Sequence, residues 1–216
     1  ALIIEVNQQK LLLDSTKKEL VDDKKQFLLI GKRRSEALKK LTISLKSDTA
    51  KLNKLIAERS ELEELLNTVE VAVSAMPLAA PPGQQTFVSQ KGLLQWPLRG
   101  RVAHSYGSQR SGSLRWKGWM IGAKSGQPVN AVHDGHVIFS NYLRGFGLLI
   151  ILNHGDGYMT LYAHNEELLK ETGDWVLSNE TISRAGDSGG LDKPALYFEI
   201  RNQGQPADPK VWLGKR

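Results

Sequence analysis

The hydrophobic and polar positions divide the chain into two regions with different periodicities. Residues 1–76 repeat apolar side chains in steps of three and four, a spacing that predicts long helix and favours a coiled coil. From residue 92 onwards the apolar positions fall in short runs between glycines, as in antiparallel β-strands joined by turns. The sequence therefore predicts an α+β protein of two modules, a long helix or coiled coil followed by an antiparallel all-β domain.

The helical region contains a change of register and a polar interruption. Its apolar repeat slips by four residues between Gly31 and Leu38, which is typical of a stutter in a coiled coil. The polar triplet at residues 47–49 then offers a helix N-cap where the repeat requires an apolar residue. We therefore predict a coiled-coil arm over residues 1–46 and a separate helix over residues 47–76.

The predicted helix over residues 47–76 carries an amphipathic stripe that needs a covering partner. Two coverings fit the pattern equally well: a second strand of the coiled coil, and a groove on the all-β domain of the same chain. Residues 77–91 contain three prolines and a glycine, so we expect an extended linker that lets the helix fold back. The stripe consists of Leu52, Leu55, Ile56, Arg59, Leu62 and Leu66.

The all-β domain is expected over residues 92–216. The glycine-rich segment at residues 153–158 predicts a tight hairpin turn, because glycine tolerates the positive φ that such turns require. His154, beside this turn, is expected to be a capping or solvent-exposed residue. The predicted strands cover residues 137–140, 148–153, 159–162, 181–185 and 196–201.

The last predicted strand has two chemically different faces. With a side-chain period of two residues, Leu196, Phe198 and Ile200 point towards the core. The opposite face offers an aromatic ring, an acid and a guanidinium, from Tyr197, Glu199 and Arg201. One face of this strand is therefore expected to build the domain, and the other to carry its function.

Composition narrows the classes of function. Cysteine is absent, which excludes disulfides, thiolate metal sites and cysteine nucleophiles. The net charge is +6, but the basic residues are interspersed with acidic ones, a pattern that does not favour a nucleic-acid surface. No apolar run approaches the roughly 20 residues of a membrane-spanning helix, and the chain opens at Ala1 without a secretion signal.

Several motifs of the β-domain, taken in order, resemble the LytM family of zinc peptidases, also called peptidase family M23. The resemblance covers residues 94–213 and implies a compact antiparallel β-domain with a groove over the sheet. Its motifs are Trp96-Pro97-Leu98, the Gly-x-Pro-Val-x-Ala-x-x-Asp-Gly-x-Val segment at 126–137, Gly145-Phe146-Gly147, Leu161-Tyr162-Ala163-His164, Gly173-Asp174-Trp175-Val176 and Asp208-Pro209.

The metal chemistry of the LytM family is missing from these motifs. The resemblance implies that active members hold zinc with a His and an Asp four residues apart, and with the second His of a His-x-His strand. Here those positions are Trp116, Met120 and Tyr197; Ala195 replaces the first His of that strand, and His164 alone is kept. Indole and alanine cannot bind zinc, so we expect no metal, no other cofactor and no catalysis.

Degenerate LytM proteins imply a different function for the groove. The resemblance is to non-catalytic proteins of the periplasm that activate zinc-dependent N-acetylmuramoyl-L-alanine amidases when septal peptidoglycan is split during cell division. In these proteins the coiled coil docks on the membrane complex FtsEX, and the helix that follows shields the amidase-binding groove. A peptidoglycan-binding module, or less readily an active zinc endopeptidase, remains the alternative. The groove is expected to include Lys117, Met120, Leu149, Tyr162, His164, Tyr197 and Arg201.

Strand alternation also predicts how the groove residues are arranged. Tyr197 and Arg201 should share one face, and Tyr162 and His164 another. We expect Arg201→Glu or Tyr197→Ala to abolish amidase binding while leaving thermal unfolding nearly unchanged, because the opposite face of the strand supplies the core.

Overall fold

The computed structural model describes residues 2–74 and 85–215. Helix α1 runs from Leu2 to Ser74, and an antiparallel sheet follows it. The predicted fold class, a long N-terminal helix with an all-β domain behind it, is therefore confirmed. Residues 1–51 form one compact unit and residues 52–216 form another.

In the first unit the apolar side chains of α1 are exposed. The large hydrophobic side chains between Val6 and Leu45 have exposed fractions of 44% to 76%. An isolated helix gains little from solvated apolar groups, so this surface has the character of one strand of a coiled coil. The coiled coil itself stays a prediction.

Among the described residues, no helix combines the length and the apolar character needed to cross a membrane.

Helix α1 does not break at residues 47–49, so the predicted start of a separate helix there is wrong. The helix continues through Asp48, whose carboxylate accepts a hydrogen bond of 3.4 Å from the Ser44 hydroxyl. A solvated aspartate inside a helix costs only about 0.7 kcal/mol relative to alanine, whereas a break would leave several backbone groups without partners. In the sequence, the boundary between the two compact units lies instead after Lys51.

The second unit is built on one large antiparallel sheet. Within residues 85–215 the strands are β1 Val102–His104, β2 Gln109–Ser111, β3 Leu114–Arg115, β4 Trp119–Gly122, β5 Pro128–Asn130, β6 Gly135–Leu143, β7 Gly147–Asn153, β8 Tyr158–Leu168, β9 Trp175–Val176, β10 Thr181–Ala185, β11 Ala195–Asn202 and β12 Gln205–Ala207. The main strand order is β1-β4-β11-β8-β7-β6-β9. Strand β10 pairs with β5 and β8, β12 pairs with β11, and β2 and β3 form a separate hairpin.

All five predicted strands are present, as β6, β7, β8, β10 and β11, and all except β10 are longer than predicted. The predicted hairpin turn joins β7 to β8. Gly155, Asp156 and Gly157 all have positive φ there, which is the backbone conformation that the glycine pattern indicates.

The expectation of a solvent-exposed His154 is wrong, because the residue is half-buried and both ring nitrogens have partners, one of them a backbone carbonyl. Its Nδ1 lies 2.7 Å from the Asp134 carbonyl oxygen and its Nε2 lies 2.7 Å from Thr160 Oγ1. Burial lowers the pKa of His154 to about 3, so the ring is neutral near pH 7. The turn therefore brings a structural histidine into the β-domain.

Two hydrophobic clusters lie on opposite faces of β11. The first, which we call the main core, contains Leu196, Phe198 and Ile200 of this strand. The second, which we call the groove cluster, includes residues of both the sheet and α1. It consists of Leu62, Leu66, Met120, Leu143, Phe146, Leu149, Ile151, Met159, Leu161, Ala163, Ala195 and Tyr197.

The predicted linker is wrong in its last part. Residues 75–84 lie outside the described residues, but Phe87–Gln90 forms a 3₁₀ helix at the edge of the β-domain. Phe87 is only 1% exposed, and its ring centroid lies 4.8 Å from that of His154 and 5.0 Å from those of Tyr158 and Trp212. One aromatic side chain is therefore enough to fix this segment to the main core.

Candidate functional site

The side chains of β11 alternate between two faces, as the sequence predicts. The polar face is buried. Tyr197, Glu199 and Arg201 have exposed fractions of 2%, 0% and 3%. An acid and an arginine in such a position must be paired, because an isolated buried charge is strongly disfavoured. The partners of this face therefore identify what covers it.

The positions that the LytM resemblance assigns to metal chemistry come together beside this face. Met120 of β4 lies opposite Tyr197 of β11, and the ring centroids of Trp116 and Tyr197 are 6.2 Å apart. Met120, Ala195 and Tyr197 belong to the groove cluster, and Trp116 packs against it. These four positions thus remain together, but in apolar and aromatic surroundings.

The donor set of this pocket does not fit a zinc ion. None of the side chains at the four positions is an imidazole or a carboxylate, and the nearby carboxylate of Glu199 is committed to two arginines. Within residues 2–74 and 85–215, no group of three or more His, Asp or Glu side chains is arranged to hold a metal. No chemical step can be derived through a metal at these residues.

A charged network joins β11 to α1. Glu199 accepts hydrogen bonds from Arg59 of α1 at 3.1 Å and from Arg201 at 2.8 Å. The Tyr197 hydroxyl donates a further hydrogen bond to Glu199. Arg201 in turn donates to Glu63 of α1 at 2.7 Å, and Arg59 forms an ion pair with the same Glu63. The buried charges of the strand are therefore neutralised partly by the helix.

The pKa values reflect this pairing. Burial alone would raise the pKa of Glu63, but the hydrogen bond from Arg201 and the charge of Arg59 outweigh it and lower that pKa. Burial and the neighbouring charge of Glu199 raise the pKa of Tyr197 well above its usual value, so its hydroxyl remains a donor. The pKa of Arg59 is raised because Glu199 outweighs its desolvation.

The apolar half of the contact comes from two leucines of α1. Leu62 and Leu66 are 0% and 2% exposed and belong to the groove cluster together with Leu149 and Tyr197. Leu52 and Leu55 are half-buried, whereas Ile56 is 47% exposed. Of the six predicted stripe residues, Arg59, Leu62 and Leu66 thus make the main contact, and Ile56 faces mainly solvent.

Helix α1 also approaches the β6–β7 turn closely. A Cβ atom placed on Gly145 would lie 2.4 Å from the side-chain carboxyl carbon of Glu58, which is itself 7% exposed. Gly145 also has a φ of +80°, so both its backbone and its space favour glycine. At the rim, Arg144 and Glu61 form an exposed ion pair of 3.4 Å.

The predicted groove residues are not all in one place. Met120, Leu149, Tyr197 and Arg201 lie on the face covered by α1, and Lys117 is exposed at its edge. Tyr162 lies on the opposite face in the main core, so its predicted position in the groove is wrong. Its hydroxyl accepts a hydrogen bond of 3.1 Å from the Val132 amide.

His164 does not share a face with Tyr162, contrary to the prediction from alternation. Its φ of +66° interrupts the alternation of β8, and the pairing of neighbouring strands shifts register nearby. The ring lies 6.4 Å from that of Phe146 in the groove cluster, and Nδ1 is 2.8 Å from the Ser188 carbonyl oxygen. Burial lowers the pKa of His164, which favours a neutral, structural imidazole.

Burial also revises the expected effect of mutating β11. Because Tyr197 and Arg201 are almost fully buried, Tyr197→Ala and Arg201→Glu are expected to lower stability as well as change the groove.

Sequence reasoning missed Glu63, although it follows Arg59 by four residues, the spacing of neighbours on one helix face. It also missed Arg110, whose guanidinium carbon lies 4.4 Å from the centre of the Trp116 ring.

Sequence comparisons agree with this architecture. Residues 114–209 match the family described as Peptidase family M23. Over 125 residues, 58% of this chain, the sequence is 46% identical to murein hydrolase activator EnvC of Escherichia coli K12 and covers 30% of it. Over 142 residues, 62% of this chain, it is 34% identical to cell division protein DipM of Caulobacter vibrioides and covers 23% of it. The chain spans less than a third of the length of these two relatives.

The fold is also that of a known peptidase family. The structure superposes on a putative peptidase M23 from Pseudomonas aeruginosa with a TM-score of 0.54, over 72% of this chain and 61% of that chain. At 18% sequence identity this likeness shows the fold alone. Residues 114–209 are therefore similar in sequence to peptidase family M23, and the β-domain has the fold of the superposed structure, with Trp116, Met120, Ala195 and Tyr197 where the resemblance places metal chemistry.

Proposed function

We propose that this chain activates peptidoglycan amidases without being an enzyme, and that its own helix controls access to the partner-binding groove. The proposed partner is a zinc-dependent N-acetylmuramoyl-L-alanine amidase of the periplasm, and the proposed place of action is the division septum. The names of the similar proteins, a murein hydrolase activator and a cell division protein, support this reading.

One observation carries the proposal. The surface that a family M23 peptidase would use for its reaction is filled here by Leu62 and Leu66, and its charges are paired with Arg59 and Glu63 of the same helix. A well-packed apolar centre surrounded by paired charges is the composition of a protein-binding surface rather than of a reaction centre. The helix therefore occupies the place that we assign to the amidase.

The proposed mechanism is a shift between docked and undocked α1. A fully buried leucine contributes about 1.5–3 kcal/mol, so Leu62 and Leu66 together favour the docked state by roughly 3–6 kcal/mol before ordering costs. An amidase that binds only the open groove has its apparent affinity reduced by the open fraction. Loss of either leucine contact should then raise this affinity by about one to two orders of magnitude.

The exposed apolar surface of α1 between Val6 and Leu45 supplies the second half of the proposal. We propose that it forms a coiled coil that docks on the membrane complex FtsEX. Any event at this membrane complex that favours the undocked state of α1 would open the groove. Direct binding of peptidoglycan by the β-domain is the competing function.

The test measures dye release from labelled peptidoglycan by a purified amidase. Leu62→Glu places a charge in the groove cluster, whereas Ile56→Glu makes a similar change at a largely solvated position of the same helix. We expect Leu62→Glu to stimulate the amidase at least about tenfold more than the native chain does. Ile56→Glu should change the stimulation less than about twofold.

Three results would count against the proposal. Equal stimulation by the native chain and by Leu62→Glu, with both folded by circular dichroism, would remove the inhibitory role of α1. Dye release by the chain alone that a chelator stops would establish an enzyme. Sedimentation with peptidoglycan but no stimulation of any amidase would favour the wall-binding function.

A further inference from the structure

A small cavity lies at the edge of the groove cluster, between α1 and the β2–β3 hairpin. Its volume is about 280 Å³. Arg59, Arg110, Arg115 and Lys117 line it together with Tyr197 and two leucines, Leu55 and Leu114. Four cationic side chains thus surround a space large enough for one or two amino-acid side chains, next to an apolar wall.

The positive charge of this cavity is only partly neutralised. Arg59 is paired with Glu199 and Glu63. In the described part of the chain, no carboxylate lies within 4.0 Å of a charged nitrogen of the other three cations. Arg115 donates a hydrogen bond of 2.8 Å to a neutral acceptor, the Gly107 carbonyl. Three of the four cations therefore lack an ion-pair partner within the described residues, although the charge of Glu58 acts on Arg110 from further away.

The geometry of Arg110 separates this cavity from an ordinary basic surface. Its guanidinium carbon lies 4.4 Å from the centre of the Trp116 ring, a stacking arrangement that holds the planar group in one orientation. Burial lowers the pKa of Arg110; the charge of Glu58 opposes this shift, and the charge of Arg59 adds to it. An anion in the cavity would offset both the lost hydration and the repulsion between the two arginines.

One hydrogen-bond donor of a residue that lines the cavity has no acceptor. Arg59 Nε is buried and has no hydrogen-bond partner within the described residues. A buried donor without an acceptor costs about 1–3 kcal/mol, so the surroundings favour a ligand rich in acceptor oxygens. A carboxylate supplies two such oxygens in the plane that a guanidinium recognises.

We propose that this cavity binds a carboxylate of an acidic peptide. Arg110 is placed to bind the carboxylate oxygens, with Lys117 and Arg115 adding charge at the entrance. The leucine wall fits the aliphatic stem that joins a side-chain carboxylate to a peptide backbone, which a bare inorganic anion lacks. The site exists while α1 is docked, because Leu55 and Arg59 form one of its walls. Binding there therefore does not require α1 to leave the groove, and it would favour the docked state.

The experiment titrates the native chain, residues 1–216, with N-acetyl-Glu-Glu and follows it by calorimetry and by amide chemical shifts. The uncharged N-acetyl-Gln-Gln and inorganic phosphate are titrated in parallel. We expect saturable binding of the acidic dipeptide, with shifts at residues 110–117, and weaker binding as salt is raised from about 20 to 500 mM. Phosphate and the uncharged dipeptide should bind at least about tenfold more weakly.

Two variants and one control complete the test. Arg110→Gln and, independently, Lys117→Gln should lower the affinity, Arg110→Gln by about tenfold or more because it removes a charged hydrogen-bonding group. Lys124→Gln makes the same change of charge at an exposed position outside the cavity and should alter affinity less than about twofold. Absence of saturable binding, or an equal loss in Lys124→Gln, would overturn the site. Phosphate binding as tight as that of the dipeptide would overturn the assignment of a carboxylate.

Discussion

The two faces of β11 are equally buried but are covered in different ways. On the first face, Leu196, Phe198 and Ile200 pack against other parts of the β-domain and are fully buried in the main core. On the second face, Tyr197, Glu199 and Arg201 are 0% to 3% exposed, and much of their cover is one segment of α1. Burial alone thus does not tell a permanent core from a surface that another element covers.

The chemistry of the two covers explains this difference. The first face of β11 contributes only apolar side chains to the main core, so keeping it closed leaves no charge of this face without a partner. The second face keeps an acid and an arginine whose charges need partners whether or not α1 is docked. Buried ion pairs contribute little net stability compared with apolar packing, but they define which partner and which register fit. The second face therefore has the properties of an interface and the first those of a core.

The largest expected effect comes from the main core. Phe198→Ala removes a fully buried ring, and we expect it to lower the free energy of unfolding of the β-domain by about 3–5 kcal/mol. Leu62→Ala removes comparable apolar surface from the groove cluster. It should loosen α1 while the urea midpoint of the β-domain changes far less. Tryptophan fluorescence follows the β-domain, because all five tryptophans lie after residue 95. Equal shifts of the midpoint would contradict the distinction between the two faces.

An intermediate effect is expected at the centre of the charged network. Glu199→Gln keeps the shape of the side chain but removes the buried one of the two carboxylates that pair Arg59 and Arg201, leaving Glu63 alone to neutralise both. This loss should weaken docking of α1 by about 2–3 kcal/mol. The measurement is hydrogen exchange of the backbone amides of residues 55–66. Glu64→Gln is the matched control, because Glu64 is exposed on the same helix and forms no ion pair within the described residues. Unchanged exchange in Glu199→Gln would mean that the network does not hold the helix.

The smallest effect is expected at the rim. Arg144 and Glu61 are 68% and 43% exposed, so their ion pair is screened by solvent and salt. Arg144→Gln should change docking of α1 by less than about 0.5 kcal/mol, with hydrogen exchange at residues 55–66 nearly as in the native chain. A loss as large as that of Glu199→Gln would show that charge at the rim, rather than the buried network, holds the helix.

The sequence predicts those parts of the fold that depend on local pattern. The alternation of β11 correctly assigns Phe198 to the core and Glu199 to the other face, because a regular strand leaves no other arrangement. The same rule fails at His164, where a positive φ redirects the side chain. A bulge of this kind depends on the pairing of neighbouring strands, which one strand's sequence does not contain.

Contacts between distant segments are the other part that local pattern does not reveal. The helical repeat identifies Leu62 and Leu66 as apolar positions, but periodicity is the same for a coiled-coil partner and for a groove. Asp48 interrupts the repeat without ending the helix, because a solvated polar residue lowers the stability of a helix only slightly. Phe87 is a lone aromatic in a polar segment, so only the tertiary structure reveals that it belongs to the main core.

The insertion of Phe87 into the main core gives the proposed inhibition a defined reach. Because the chain is anchored at Phe87, an undocked α1 remains tethered, and the eleven steps from Ser74 to Gln85 span at most about 40 Å. A short tether of this kind holds a ligand at an effective concentration on the order of millimolar, whatever the concentration of the protein. A partner that binds the groove must therefore compete with α1, whose effective concentration at the groove does not fall on dilution. Once the partner leaves, α1 closes the groove again by an intramolecular step.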